Sequence, residues 1–135
     1  MIRHASLADF LRAPRRPDTD APLALILAED LALIDMTLSY HLDRGFGRVY
    51  LFAPAEAVLD DAHGDRVQRI DHSAPHDGGL AHVVNAVLPR IAAGRWVYAG
   101  YNAEYLFYPF CETRSVAEML AFHTEERRDA MLAYT

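Results

Sequence analysis

The sequence contains no lysine, and all 13 of its basic residues are arginine. Any chemistry that requires a lysine ammonium group is therefore excluded. Cysteine is also scarce, because Cys111 is the single one in the chain. One cysteine excludes an intramolecular disulfide and is typical of a protein from a reducing compartment, so a cytoplasmic location is predicted.

Long hydrophobic runs are missing as well. No apolar stretch approaches the roughly 20 residues of a membrane-spanning helix, and no signal-peptide pattern follows the amino terminus. The net charge of -6 argues against a general nucleic-acid binder. With 135 residues the chain is long enough for one domain with its own core. These observations predict a soluble protein without a membrane span.

The sequence pattern in the first half of the domain predicts a strand, a helix and a second strand. Residues 22–27 form a continuous apolar run, which is typical of a parallel strand covered on both faces. Asp30 is a suitable N-cap for a helix over residues 31–44, where apolar side chains recur at helical spacing. Residues 48–52 predict the next strand, which Pro54 ends. This βαβ unit is expected to have a right-handed crossover.

The middle of the chain is less regular and leads into a long helix. Residues 55–61 could form a short helix, and the alternating residues 66–70 predict an edge strand. Residues 79–93 carry an apolar stripe wide enough to cover one face of a sheet. Pro89 removes a backbone donor and is expected to bend the last turn of this helix.

An aromatic strand and a capped helix follow. Trp96–Ala99 is apolar, aromatic and β-branched, and it is bounded by Gly94 and Gly100, so a short buried strand is predicted. Ser115 and Glu118 form a capping box that opens the last helix.

The order β-α-β-(α)-β-α-β-α-β predicts an α/β fold, a three-layer α/β/α sandwich with a mainly parallel, Rossmann-like sheet. Residues 1–21 are interpreted as an N-terminal lead-in and residues 22–135 as the domain. The chain stops in residues 131–135, which resemble the start of a strand, so a fragment of a longer protein is expected. The residues expected in the core of the sheet are Leu25, Ile26, Leu27, Val49, Leu51 and Val97.

Polar side chains follow the predicted strands that end at Leu27 and Ala99. Because ligands bind outside the carboxyl ends of strands in open α/β sheets, these two ends are expected to converge on one crevice. The candidate substrate-binding residues are Glu29, Asp30, Tyr101, Asn102 and Glu104. The three carboxylates would repel one another, so a raised pKa is expected for at least one of them. A divalent ion could bind weakly, with Glu104 and Asp30 as ligands.

A second group of histidines and aspartates lies in the middle of the chain. Its members are Asp61, His63, Asp65, His72, His76 and Asp77. Their spacings match no compact metal-ligand motif, so a polar loop is the preferred interpretation.

Several stretches are similar to family-2-like glycosyltransferases of the A-type nucleotide-diphospho-sugar fold. The end of an early helix in that family resembles Tyr40-His41-Leu42-Asp43-Arg44-Gly45-Phe46, and the strand after it resembles Val49-Tyr50-Leu51-Phe52. A tryptophan-containing strand followed by Asp-x-Asp-Glu-Phe resembles Trp96-Val97-Tyr98 and Tyr101-Asn102-Ala103-Glu104-Tyr105. A later short helix resembles Ser115–Leu120. The resemblance covers roughly residues 22–135.

The resemblance implies a protein that binds a nucleotide-diphospho-sugar donor and transfers the sugar to an unknown acceptor. In the family Mg2+ or Mn2+ bridges the pyrophosphate and neutralises the leaving group. Here Tyr101 and Ala103 stand in place of the two metal-binding aspartates, and Ala28-Glu29-Asp30 stands in place of Lys-Asn-Glu. Such a branch is expected either to bind its donor without that metal or to have kept the fold for another purpose. Whether it is an active enzyme is left open.

Two other interpretations remain open. The segment 25–30 resembles the acidic strand end of response-regulator receiver domains, with Glu29 and Asp30 as magnesium ligands and Asp71 as the phosphoacceptor. Receivers also use a lysine, which this chain lacks. The third interpretation is a non-catalytic domain that binds a sugar or protein partner through the aromatic residues of 101–110.

Overall fold

The computed structural model describes residues 1–15, 20–73 and 79–135. The strands are Ile2–His4 (β1), Leu23–Leu27 (β2), Arg48–Ala53 (β3), Val67–Asp71 (β4) and Val97–Tyr101 (β5). The helices are Leu7–Arg12 (α1), Ile34–Asp43 (α2), Gly79–Val87 (α3) and Val116–Glu125 (α4), with 3-10 turns at Gly64–Arg66 and Leu88–Arg90. The five strands form one sheet in the order β1-β4-β3-β2-β5, and every neighbouring pair is parallel.

Helices pack against both faces of the sheet, which confirms the predicted α/β/α sandwich. All five residues of β2 are buried, because successive side chains of a strand point to opposite faces and both faces are covered. One core combines alternate β2 residues with α1 and α3: Leu23, Leu25, Leu27, Phe10, Val83 and Val87. The other core combines the intervening residues with α2 and α4: Ala24, Ile26, Ile34, Leu38 and Leu120. Of the six expected core residues, only Val97 on the edge strand β5 is partly exposed.

The prediction of β4 as an edge strand is wrong, because β1 pairs with its outer side. Residues 1–21, interpreted as a lead-in, therefore contribute both β1 and α1 to the sandwich. The described residues 55–61 also form no helix. The buried Arg69 guanidinium of β4 donates hydrogen bonds to the carbonyl oxygens of Pro54, Ala55 and Ala57, which fixes this stretch as an irregular turn.

Helix α2 begins at Ile34 rather than at residue 31. Asp30 does not cap this helix, because its carboxylate accepts a hydrogen bond from the Ala32 N–H at 2.9 Å and closes a tight turn ahead of it. Leu33 takes the N-cap position instead, with a φ of 53°. The backbone N–H and the hydroxyl of Thr37 both donate to the Leu33 carbonyl oxygen, at 2.9 and 2.8 Å, and stabilise this entry.

The aromatic strand extends further than predicted, because Gly100 lies inside β5. The Tyr98 ring covers Gly100, and a Cβ at that position would overlap with the Tyr98 hydroxyl oxygen. Gly100 therefore leaves room for the Tyr98 ring and does not mark a strand boundary. The predicted N-cap at Ser115 is confirmed, since its hydroxyl accepts a hydrogen bond from the Glu118 N–H at 3.3 Å.

No helix in the described ranges is long and apolar enough to cross a membrane. The bend expected at Pro89 takes the form of a 3-10 turn after the end of α3. The residues His76 and Asp77 of the polar loop lie outside the described parts of the chain.

Candidate functional site

The chain leaves β2 and enters β5 on opposite faces of the sheet. After β2 it crosses to β3 through α2 on one face, whereas α3 leads to β5 across the other face. β2 therefore lies between β3 and β5, and Leu27 is opposite Tyr101 in the register. Such a switch point is where parallel α/β sheets bind ligands, outside the carboxyl ends of the strands. The predicted convergence of these strand ends is confirmed, with Tyr101 as the last strand residue instead of Ala99.

Asn102, directly after β5, joins the two strand ends. Its Oδ1 accepts a hydrogen bond from the Glu29 N–H at 2.9 Å. Its Nδ2 donates to the Asp30 carboxylate at 2.6 Å and to the Ala32 carbonyl oxygen at 2.8 Å. Its backbone N–H donates to the Leu27 carbonyl oxygen at 3.1 Å. Both amide hydrogens are thus used to fix the loop that follows β2.

The Asp30 carboxylate has a lowered pKa. The Ala32 N–H and the Asn102 amide both donate hydrogen bonds to it and stabilise its charged form. The rise in pKa expected from neighbouring carboxylates therefore does not occur at Asp30. Both Glu29 and Asp30 are exposed, so water also screens their mutual repulsion.

Glu104 turns back onto the end of β5. Its Oε2 accepts a hydrogen bond from the Tyr101 N–H at 3.1 Å, and its own N–H donates to the Tyr101 carbonyl oxygen at 3.3 Å. β5 is an edge strand, so the carboxylate satisfies a backbone donor that has no neighbouring strand. The Tyr101 hydroxyl lies against the start of α3, 3.4 Å from the position of a Cβ on Gly79. Glu104 therefore completes the hydrogen bonding at the end of β5, and the Tyr101 side chain packs against the start of α3.

An open cleft of about 1030 Å3 lies over the carboxyl ends of β2, β3 and β4. Its walls are the described residues that directly follow these strands, together with residues of α1 and α3. This volume is at the upper end of the range for small-molecule sites, roughly 300–1,000 Å3. Glu29 and Asp30 line the cleft, whereas Tyr101, Asn102 and Glu104 are not among its lining residues. The structure thus divides the predicted site residues into two that face the cleft and three that support its edge.

Asp71, which lines the cleft, belongs to an ion-pair network that the sequence analysis missed. Asp71, at the end of β4, accepts hydrogen bonds from Arg3 at 2.9 Å and from Arg69 at 3.2 Å. Arg3 also donates to the carbonyl oxygen of Ala55, another lining residue, at 3.0 Å. Arg3 lies in β1, whose alternating pattern is only three residues long and therefore too short to predict a strand. His72 lies in the same cleft and has a lowered pKa. Burial is the main cause, and the nearby His82 adds to it.

A buried polar cluster lies on the α2 side of β5. The His41 ring is fully buried and stacks on the Tyr98 ring with a centroid distance of 5.0 Å. His41 Nδ1 donates to the Thr37 carbonyl oxygen at 2.8 Å, while His41 Nε2 and the Tyr98 hydroxyl have no hydrogen-bond partner among the described residues. Burial lowers the pKa of His41. Burial and the nearby Glu104 and Tyr40 raise the pKa of Tyr98 to about 12.

Asp30 and Glu104, the metal ligands predicted from the sequence, both accept hydrogen bonds at the switch point. Asp30 already accepts two hydrogen bonds, and Glu104 is bonded to the Tyr101 N–H. Among the described residues no group of three or more His, Cys, Asp or Glu side chains is arranged to hold a metal ion. Mg2+ and Mn2+ require several hard oxygen ligands at once. The weak divalent-metal site at Glu104 and Asp30 therefore stays a prediction.

No family model, curated protein or solved structure matches this chain. The fold and the cleft define its class: an α/β protein with a parallel, Rossmann-like sheet and a candidate ligand site at the carboxyl edge of that sheet.

Proposed function

We propose that the chain is a glycosyltransferase-like domain that binds a nucleotide-diphospho-sugar in the cleft without the two-aspartate metal site. The observation that carries this proposal is the switch point, where Asn102 fixes the loop after β2 against the end of β5. Asn102 belongs to the stretch that resembles the family's Asp-x-Asp-Glu-Phe segment. In this proposal the hydrogen bonds of Asn102, and not a metal, hold this stretch against the loop after β2.

The charges around the cleft suggest how such a ligand would lie. The carboxylates of Glu29 and Asp30 are acceptors for the hydroxyl groups of a ribose or the N–H groups of a base. The diphosphate would lie away from these carboxylates, towards Arg3, which bonds the lining residues Ala55 and Asp71. The Arg3 side chain is half-exposed, and a guanidinium group favours a phosphate. The nucleoside is therefore expected to be held over β2 and β3.

The receiver interpretation has less support from the geometry. Asp71, its phosphoacceptor, is paired with two arginines, and β3 separates its strand from the strand that carries Glu29 and Asp30. Neighbouring strands are about 4.8 Å apart, so Asp71 is displaced by roughly two strand spacings from the acidic pair. The non-catalytic interpretation remains compatible with the proposal, because binding of the donor does not require transfer.

Isothermal titration calorimetry with UDP and GDP, first in EDTA and then with MnCl2, tests the proposal. We expect at least one diphosphate to bind in EDTA with a Kd between roughly 10 μM and 1 mM. The Ala55→Trp variant places a large side chain in the cleft and is expected to weaken binding at least about tenfold, or 1.4 kcal/mol. Ala121→Trp on the exposed surface of α4 is the matched control and is expected to bind like the parent protein.

If neither UDP nor GDP binds at concentrations up to roughly 5 mM, with or without Mn2+, the proposal is contradicted. If Ala55→Trp binds the diphosphate as tightly as Ala121→Trp does, the cleft is not the binding site. Because Tyr101 and Ala103 replace the metal-binding aspartates, we do not expect the chain to hydrolyse or transfer UDP-glucose on its own. Turnover that Glu104→Gln abolishes would show that this last expectation is wrong.

A further inference from the structure

Four large aliphatic side chains face solvent beside the cleft. Leu31, Leu33, Met36 and Val58 are 58%, 50%, 60% and 94% exposed. They come from the loop after β2, the first turn of α2 and the segment after β3. All four line a groove of about 330 Å3, which we call the aliphatic groove. Contiguous apolar side chains with a polar rim mark interaction surfaces, whereas scattered single ones do not.

The backbone that carries Leu31 and Leu33 is held in place. The Ala32 carbonyl oxygen between them accepts a hydrogen bond from Asn102 at 2.8 Å. Leu33 has left-handed backbone angles, φ 53° and ψ 27°, which leucine rarely adopts. Two hydrogen bonds from Thr37 to the Leu33 carbonyl oxygen maintain this conformation. The exposure of the two leucines is therefore fixed by the fold and is not a result of a loose loop.

The rim of the aliphatic groove is acidic. Asp35 and Glu56 line it, and none of the described lining residues is basic. The Asp35 carboxylate also accepts a hydrogen bond from the Asp60 N–H at 3.1 Å, which brings the exposed Asp60 to the same side. The net charge of the whole chain, -6, has the same sign. An anionic lipid surface or another acidic surface would be repelled, whereas a cationic partner would be attracted.

We propose that the aliphatic groove binds a cationic amphipathic helix of a partner protein. The apolar face of such a helix would place residues at i, i+3 or i+4, and i+7 against Leu31, Leu33 and Val58. Its lysine or arginine residues would pair with Asp35 and Glu56. The groove shares Leu31 and Glu56 with the cleft, so a bound helix would lie at the edge of the cleft.

The probe is a fluorescein-labelled helical peptide of leucine and lysine, compared by fluorescence anisotropy with a peptide in which glutamate replaces every lysine. We expect the lysine peptide to bind with a Kd on the order of 10 μM and the glutamate peptide to bind at least about tenfold more weakly. Val58→Ser is expected to weaken binding of the lysine peptide by about tenfold. The control is Leu132→Ser, which changes an aliphatic side chain that is 84% exposed elsewhere and leaves the charge unchanged.

Equal affinity of the parent protein and Val58→Ser for the lysine peptide would overturn the proposal, because net charge alone would then explain binding. Equal binding of the two peptides by the parent protein would overturn it as well. Sedimentation equilibrium without peptide addresses a second copy as the occupant. A dimer that Val58→Ser converts to a monomer, while Leu132→Ser does not, would make the groove a self-association surface and also overturn the proposal. Loss of peptide binding in Val58→Ser alone, with a monomeric parent protein, supports it.

Discussion

Asn102 shows how one side chain can hold distant parts of a chain together. It bonds Glu29 and Asp30, which are 73 and 72 positions away in the sequence. Asn102→Ala would leave the Glu29 N–H and the Ala32 carbonyl oxygen without these partners. We expect the free energy of unfolding, measured in urea, to fall by about 2–3 kcal/mol. The pKa of Asp30 is expected to rise towards its ordinary value, because one of its donors is lost.

Asn85→Ala is the control for Asn102→Ala, since Asn85 is an exposed residue of α3. It is expected to change stability by no more than about 0.5 kcal/mol. Equal effects of the two substitutions would mean that the Asn102 hydrogen bonds contribute no more than an ordinary surface residue.

His41 gives the protein a pH-dependent stability. Burial lowers its pKa in the folded state, so the unfolded chain binds a proton more readily than the folded chain does. The resulting stability is present above the unfolded pKa of about 6.5 and decreases as the pH falls from there towards the lowered folded value. We expect His41→Phe to lose less stability than the parent protein between about pH 7 and pH 5, as measured by urea unfolding.

The pKa of His72 is lowered as well, so His72→Gln is the comparison for His41→Phe. A steeper loss of stability on acidification in His41→Phe than in the parent protein would contradict the assignment. The Tyr98 ring stacks on His41, but the pKa of its hydroxyl group is raised to about 12, far above this range.

At the scale of single elements, α4 depends on its first turn. The Ser115 hydroxyl accepts the Glu118 N–H, and the adjacent Val116 N–H donates to the Arg44 carbonyl oxygen at 2.8 Å. Ser115→Ala removes the first of these bonds and is expected to lower the free energy of unfolding by about 1 kcal/mol in urea. Ser115→Asp supplies another acceptor and is expected to restore most of the loss. Equal destabilisation by alanine and aspartate would exclude capping as the reason.

The elements α2 and β4 show what local patterns can and cannot predict. The apolar spacing of α2 predicts its existence and its end, because a helix must bury one stripe of side chains. Its start was missed, because Asp30 bonds Ala32 and Asn102 instead of capping the helix. β4 was predicted as a strand, yet its position inside the sheet depends on pairing with β1, which lies more than 60 residues earlier in the chain.

At the scale of the whole molecule, the sheet is expected to open from its edges. β2 and β3 have a parallel neighbour on both sides, whereas β1 and β5 have one each. Amide hydrogens exchange through local openings that cost least at the periphery of a fold. In hydrogen exchange followed by mass spectrometry, peptides from 23–27 and 48–53 are expected to be protected longest. Exchange of 97–101 as slow as that of 23–27 would contradict this order.

The sequence alone determined the fold class, the two crossover helices and the edge of the sheet at which polar residues gather. These follow from apolar periodicity and from the direction of parallel strands, which are properties of short stretches of chain. Glu29 and Asp30 were correctly assigned to that edge and line its cleft. Only the tertiary structure decided that Asn102 and Glu104 turn inwards to bond backbone groups, and that Leu31 and Leu33 turn outwards. Those orientations depend on which N–H and carbonyl groups distant segments leave without partners, and no local pattern records that.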